Sequence, residues 1–272
     1  MSPLWVEAGA VLVLLVFVRL SAEAQAGEVA AVAVGAWAGE EICIRVYTAY
    51  QYAPGWTVFL DRVPLAIVLI WPAVVLSARA VQRVTGVPAG LVVLYDACLI
   101  EPIATHAGLW SWSLPGGFGV PPIGPVGWAS YAAAACWLLD LRGPAVSAAH
   151  GAKRAAAFAQ VRAAVMAPLI AHAGILAAFW GALRWVQAEI PAPAAVAAST
   201  CAGVLAALLA RRRPRLPWRE AIPRAAAACI FAGLLLAAPD RMLLLYAAPF
   251  ALPWLSLLDW RLSSGAVAPG SS

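Results

Sequence analysis

The chain consists of runs of close to twenty apolar residues, separated by short connections that carry most of the charges. A helix needs about 20 such residues to cross a hydrocarbon core about 30 Å thick. The runs occupy residues 4–20, 27–47, 63–81, 88–101, 123–141, 161–186, 192–210, 221–238 and 242–258. This pattern predicts an all-α fold, a polytopic integral membrane helical bundle with about eight or nine transmembrane helices. We expect one domain over residues 1–262 and a disordered tail over 263–272.

The composition agrees with a membrane protein. The chain is 64% apolar and 11% charged, whereas soluble domains are near half apolar and a quarter charged. A net charge of +5 would suit a nucleic-acid partner, but the basic residues cluster in the short connections between apolar runs. That arrangement is typical of the cytoplasmic loops of membrane proteins. We therefore predict no nucleic-acid binding.

The distribution of Lys and Arg predicts the orientation. Most basic residues near the connections follow the third, fifth and seventh runs: Arg79, Arg83, Arg142, Lys153, Arg154, Arg162, Arg211, Arg212, Arg213, Arg215 and Arg219. The connections after the fourth and sixth runs contain neither residue type. The excess of positive charge places the odd-numbered connections in the cytoplasm and the N-terminus outside the cell (inner) membrane. The first run has no basic residue before it, so it is interpreted as a retained helix rather than a signal peptide.

Acidic residues near the non-cytoplasmic ends of the second and fourth runs are the candidate catalytic groups. They are Glu40, Glu41, Asp96 and Glu101. Ionisable groups inside a bilayer are costly, so they are functional candidates by default. Glu41 precedes Arg45 by four residues, a spacing that suits a helix ion pair and would leave Glu41 a poor proton donor. Glu40 and Asp96 are the stronger candidates. Pro102 disfavours a helical backbone at Glu101, which predicts a helix end there at the membrane interface.

Aromatic residues accompany these acids. The candidate substrate-binding residues are Tyr50, Tyr52, Trp71, Trp110, Trp112 and Trp128. Trp and Tyr also collect at both membrane interfaces, so an interfacial belt is the alternative interpretation for all of them except Trp71, which lies mid-run. The connections after the second and fourth runs share one side, so we expect the rings and the acids to form one constellation. The later, Ala-rich runs are interpreted as scaffold, with His172, Arg184 and Asp259 as their notable polar positions.

The sequence contains no motif for a cofactor or a metal. There is no GxGxxG, no P-loop and no aspartate-rich cluster, and the five cysteines and three histidines are scattered without metal-ligand spacing. We therefore predict no cofactor and no metal site.

Several motifs together resemble a known family. They are Glu40/Glu41, Tyr50-Gln51-Tyr52, Val63-Pro64-Leu65 leading to Trp71, Glu101-Pro102, Gly108-Leu109-Trp110-Ser111-Trp112, Gly119-Val120-Pro121 and Gly127-Trp128. This set is similar to the membrane proteins of carotenoid biosynthesis that include the carotenoid 1,2-hydratases and bisanhydrobacterioruberin hydratase. The similarity covers roughly residues 35–128. The chain departs from the family pattern at Gly124, where an asparagine is expected, and at Arg45 and Tyr47, which stand where glycines are expected.

The resemblance implies a cofactor-free membrane enzyme that adds water to the terminal C=C bond of a carotenoid or other isoprenoid lipid. Its partners would be this substrate, membrane lipids and other carotenoid enzymes. An uncharged acid must protonate the double bond, and burial in an apolar pocket favours the uncharged form. Aromatic faces would then stabilise a tertiary carbocation. The alternatives are a membrane cyclase that forms the same cation, and a non-catalytic carotenoid- or lipid-binding or transport protein.

Overall fold

The computed structural model describes residues 3–141, 149–183 and 188–258, and it is built almost entirely of helices. The helices are α1 Leu4–Leu20, α2 Ala26–Arg45, α3 Leu65–Thr85, α4 Ala89–His106, α5 Ile123–Asp140, α6 Ala149–Gly181, α7 Ala192–Ala210, α8 Trp218–Ala237, α9 Arg241–Ala247 and α10 Ala251–Leu257. A 3-10 turn, Ala248–Phe250, joins α9 to α10. The short strands are β1 Tyr50–Tyr52, β2 Phe59–Leu60, β3 Val63–Pro64 and β4 Trp110–Trp112. The all-α prediction is therefore confirmed, with two short ribbons added. The predicted tail lies outside the described residues.

Five stretches of the described helices are long and apolar enough to cross a membrane: Leu65–Thr85, Ala89–His106, Ala155–Gly181, Ala192–Ala210 and Trp218–Ala237. Length and composition thus support five spans, fewer than the eight or nine predicted. The other helices fall short for identifiable reasons. For example, α1 has only 17 residues, and α2 carries Glu28, Glu40, Glu41 and Arg45.

Contacts between the connections sort the helix ends into two sets. At one end, Arg83 beside α3 pairs with Glu23 between α1 and α2, and Arg213 after α7 donates to the Thr85 carbonyl at 3.2 Å. We call this the arginine end. At the other end, β1 after α2 pairs with β4 after α4. We call this the ribbon end. The second and fourth connections therefore meet at one end of the bundle, which agrees with the prediction that they share a side.

Prolines set many of the helix starts. Six helices begin directly after one, at Pro3, Pro64, Pro88, Pro122, Pro191 and Pro217. Proline suits this position because its ring fixes a helical φ and its missing N–H would have no helical partner there. These residues explain why the predicted boundaries agree with the observed helices to within a few residues at most ends.

The end predicted for the fourth helix is wrong. α4 continues through Pro102 to His106, and Glu101 is only 2% exposed rather than at an interface. A proline inside a helix leaves the carbonyl four residues earlier without its usual donor. Here that carbonyl belongs to Cys98, and the Tyr246 hydroxyl of α9 donates to it at 2.7 Å. A partner from a distant helix thus supports the interior proline.

Candidate active site

The two-stranded ribbon β1–β4 organises the aromatic side chains. Its strands are antiparallel, with Tyr50 opposite Trp112 and Tyr52 opposite Trp110. Side chains alternate between the two faces of a strand, so the YxY and WxW patterns place four rings on one face. The rings of Tyr50 and Trp112 lie 4.8 Å apart between centroids, and those of Tyr52 and Trp110 lie 5.9 Å apart. This face of the ribbon points into the helix bundle, toward the two carboxyl groups described next.

Glu40 of α2 accepts hydrogen bonds from three aromatic residues. The hydroxyls of Tyr50 and Tyr52 both donate to Oε2, the latter at 2.8 Å. The indole Nε1 of Trp71 donates to Oε1 at 3.0 Å. Glu40 is 8% exposed. Among the described side chains its partners are neutral, so this buried carboxyl group has no ion pair to hold its charge.

Glu101 of α4 also accepts hydrogen bonds from aromatic side chains. The indole nitrogens of Trp110 and Trp112 donate to its Oε2 at 2.8 Å and 2.9 Å. The ribbon therefore hydrogen-bonds one carboxyl group through its tyrosines and the other through its tryptophans. The predicted constellation therefore forms around Glu40 and Glu101, whereas Glu41 and Asp96, which it was also expected to include, are paired with arginines instead.

The two phenols remain hydrogen-bond donors over a wide pH range. Burial, followed by the nearby Glu40 carboxyl group, raises the pKa of Tyr50 and of Tyr52 well above the usual value for tyrosine. The charge of Glu101 adds to the effect at Tyr52. Tyr52 therefore lies close to both acids.

A cavity of about 470 Å³ opens beside Glu40. We call it the substrate cavity. Its wall is mostly apolar and comes from α2, α3, α5, α6 and the ribbon; the predicted residues on it are Glu40, Tyr50, Trp71, Trp112 and Trp128. The rings of Trp71 and Trp128 lie 4.7 Å apart between centroids, at an interplanar angle of 44°. Glu101, Tyr52 and Trp110 lie behind this wall, so Glu40 is the acid that faces the cavity.

The remaining two predicted acids are ion-paired. Glu41 pairs with Arg45 at 2.7 Å and accepts the Arg62 amide at 2.9 Å, as its spacing suggested. Asp96 pairs with Arg224 of α8. A carboxylate paired with arginine is a poor proton donor. The prediction that Asp96 is one of the two leading proton donors is therefore not supported by its surroundings.

Two residues near the site were not predicted from the sequence. Arg224 also donates to the Ser77 hydroxyl at 2.8 Å, and its signal was an arginine inside an apolar run. His172 of α6, interpreted as scaffold, lines the substrate cavity, and its Nε2 donates to the carbonyl of Gly39 at 3.2 Å. No local pattern marks His172, because its partner is 133 residues away. Arg184 and Asp259 lie outside the described residues.

The site has no metal-binding geometry within the part of the chain that the structure describes, where no group of three or more His, Cys, Asp or Glu residues could hold an ion. Comparison with protein-family models, with curated proteins and with solved structures finds no match to this chain.

Proposed function

We propose that the protein is a multi-pass membrane enzyme that adds water across the terminal C=C bond of a carotenoid or related isoprenoid lipid, without a cofactor. The observation that carries this proposal is Glu40, a carboxyl group in the wall of an apolar, aromatic-lined cavity that has no ion pair among the residues the structure describes. Such surroundings favour the uncharged acid, which can donate a proton.

The reaction follows from the positions of the groups. Glu40 transfers its proton to one carbon of the double bond, and a tertiary carbocation forms at the neighbouring carbon. Trp71, Trp128, Tyr50 and Trp112 line the same cavity, and a cation held over the face of a desolvated ring gains about 2 kcal/mol. Water then adds to the cation, and the proton released from this water restores Glu40. The net reaction consumes one water and no proton.

A membrane location is supported by the apolar outer surface as well as by the five long helices. Large apolar side chains such as Leu15, Val165, Leu205 and Leu236 are more than half exposed. Successive helices also alternate between the arginine end and the ribbon end. The Leu216 amide, at the arginine end, donates to the Leu257 carbonyl at 2.8 Å, so α9 and α10 together cross back. This alternation supports eight or nine crossings, with the arginine end in the cytoplasm of a cell whose inner membrane holds the protein.

Two alternative functions predict different fates for the lipid. A cyclase would quench the same cation with an internal double bond, and the apolar wall of the cavity favours it. A non-catalytic lipid-binding or transport protein would leave the lipid unchanged. Expression in a host that accumulates a linear carotene separates the three. Hydration raises the product mass by one water, cyclisation changes the product without changing its mass, and binding or transport yields no product.

Substitution of the acids tests the mechanism in the same host. Glu40→Gln keeps the shape of the side chain but cannot donate the proton, so we expect conversion to fall about 100-fold or more. Glu41→Gln is the matched control on the same helix, and we expect it to convert at nearly the native rate. Full conversion by a correctly inserted Glu40→Gln protein would show that this carboxyl group is not the acid.

A further inference from the structure

A second cavity lies at the ribbon end and differs from the substrate cavity in its wall. It encloses about 570 Å³, and we call it the vestibule. Among its lining residues are the polar side chains of Gln51, Asp61, Arg62 and Ser111, all of which are exposed. The vestibule is therefore a place that water occupies readily, unlike the apolar substrate cavity beside it.

The two cavities share part of their walls. Thr48, Tyr50, Trp112 and Ser113 line both of them, and we call these four residues the partition. The touching rings of Tyr50 and Trp112 form its centre. At its edge the Ser113 hydroxyl donates to the carbonyls of Thr48 and Ala49, the latter at 2.7 Å. The partition thus separates a polar compartment from an apolar one.

The partition also lies next to the acid. The Tyr50 hydroxyl donates to Glu40 Oε2, so the ring that faces the vestibule is hydrogen-bonded to the proposed proton donor. Water that crosses between Tyr50 and Trp112 arrives where the carbocation would form. Water that does not cross leaves the cation to other reactions.

We propose that water reaches the reacting carbon from the vestibule through the partition, and that the Tyr50–Trp112 contact decides how much of the carbocation becomes alcohol. This inference rests on the proposed function. When water crosses, its oxygen forms the C–O bond and its proton returns to Glu40. When it does not, the cation returns a proton to Glu40 from the neighbouring carbon and reforms an alkene. Alternatively, an internal double bond attacks the cation, a ring closes, and the new ring cation loses a proton to Glu40.

The experiment measures protonation and hydration separately. Purified protein in detergent is given a linear carotene in D2O. Deuterium in the recovered or cyclised hydrocarbon reports protonation by Glu40, and the alcohol reports capture of water. The test variant is Ser111→Phe. The side chain at this position lies on the other face of the ribbon from the rings of Trp110 and Trp112, and the larger phenylalanine fills the vestibule from there. The matched control is Val58→Phe, because Val58 is 50% exposed and lines neither cavity.

We expect Ser111→Phe to lower the ratio of alcohol to deuterated hydrocarbon about tenfold, which corresponds to about 1.4 kcal/mol of added barrier for water. Val58→Phe should keep the native ratio. Gln51→Phe fills the same vestibule from the residue opposite Ser111 and should repeat the result if Ser111→Phe does not fold.

Three outcomes would count against the inference or against the proposed function on which it rests. An unchanged ratio in the folded vestibule variants would overturn the vestibule route, because water would then arrive elsewhere. A parallel loss of alcohol and deuterium would overturn it as well, since the substitution would have damaged the site as a whole. A native protein that forms neither alcohol nor deuterated hydrocarbon would instead overturn the proposed function.

Discussion

An indole can only donate a hydrogen bond, so the carboxyl oxygen that it binds must offer a lone pair. Trp71 donates to Glu40 Oε1. Because the carbonyl oxygen of an uncharged acid is the better acceptor, Oε2, beside the hydroxyls of Tyr50 and Tyr52, is the favoured position for the proton. A phenol can accept as well as donate, so both tyrosines fit either state of the acid. At Glu101 the two tryptophan donors occupy Oε2, and they hold the rings of β4 in place. Within the proposed mechanism we assign Glu101 the role of positioning these rings.

The hydrogen bond from Trp71 to Glu40 can be tested by comparing a substitution of Trp71 with the same substitution of the neighbouring Trp128. Trp71→Phe keeps an aromatic face but removes the donor that stabilises the Glu40 carboxylate once its proton has left. A hydrogen bond to a charged group is worth about 1.5–3 kcal/mol, so we expect the rate of conversion to fall at least tenfold. Trp128→Phe changes a ring of the same cavity wall that makes no hydrogen bond to Glu40, and we expect it to retain most activity. Equal losses in the two variants would contradict a specific role for the Trp71 indole nitrogen.

Asp96 is predicted to act on stability rather than chemistry. Asp96→Asn leaves the Arg224 guanidinium, whose side chain is 11% exposed, without its carboxylate. Breaking a buried pair in this way costs about 3–5 kcal/mol, so the unfolding midpoint in denaturant should drop. Conversion per folded molecule should stay close to native, and Asp96→Asn with Arg224→Met should recover much of the lost stability. A large loss of activity in well-folded Asp96→Asn protein would return Asp96 to the list of proton donors.

At the scale of elements, α4 and β4 determine where the acid and the rings meet. α4 passes Pro102 without ending because Tyr246 supplies the donor that the Cys98 carbonyl lacks. The continued helix buries Glu101 and delivers the chain to β4, whose pairing with β1 brings Tyr50 and Tyr52 onto Glu40. The interior proline of α4 therefore contributes to the geometry of the site.

This support predicts a measurable cost. Tyr246→Phe removes only a hydroxyl and leaves the buried Cys98 carbonyl without this donor, which should lower the free energy of unfolding by about 1–3 kcal/mol. Tyr95→Phe is a matched control, because the Tyr95 hydroxyl makes a longer bond of 3.4 Å to the Pro249 carbonyl. Denaturant unfolding in detergent should rank the two variants in that order, and an equal or reversed ranking would contradict the role of Tyr246.

At the scale of the whole molecule, the two ends of the bundle differ in what they contain. The ribbon end carries both cavities, whereas the arginine end carries charge networks that tie distant helices together. Arg79 is 3% exposed and pairs with three carboxylates, from Glu23, Glu28 and Asp140. These residues join α2, α3, α5 and the α1–α2 connection far from the substrate cavity.

Removal of this arginine should therefore loosen the bundle without changing the reaction. Arg79→Met removes the buried cation that the three acids share and leaves Glu28 without its ion-pair partner, and we expect a loss of about 3–5 kcal/mol in unfolding free energy with the product unchanged. Arg211→Met, at an exposed position of the same end, should stay within about 0.5 kcal/mol of native. Thermal inactivation in detergent, followed by product analysis, checks both expectations. A stable Arg79→Met protein would show that the network contributes little.

The sequence by itself determined the helices and the sharing of an end, because these depend on short-range physics. Apolar runs of membrane-crossing length and the prolines before them define each segment, and strict alternation puts the second and fourth connections together. The Glu41–Arg45 ion pair was also predictable from the sequence, since its residues lie one helical turn apart. The helices and the ion pair are decided by neighbours within a few residues, and the shared end follows from the order of the helices along the chain.

Only the tertiary structure decided the site. The pairing of β1 with β4 joins residues some sixty positions apart and selects Glu40 and Glu101 as the ring-bound acids. Asp96 finds Arg224 at a separation of 128 residues, and His172 reaches the cavity through a contact with Gly39. α4 continues past Pro102 with the support of the Tyr246 hydroxyl, which donates to the carbonyl of Cys98 from 148 residues away. Hydrogen bonding and charge pairing over such separations depend on how the helices pack, which local pattern does not encode.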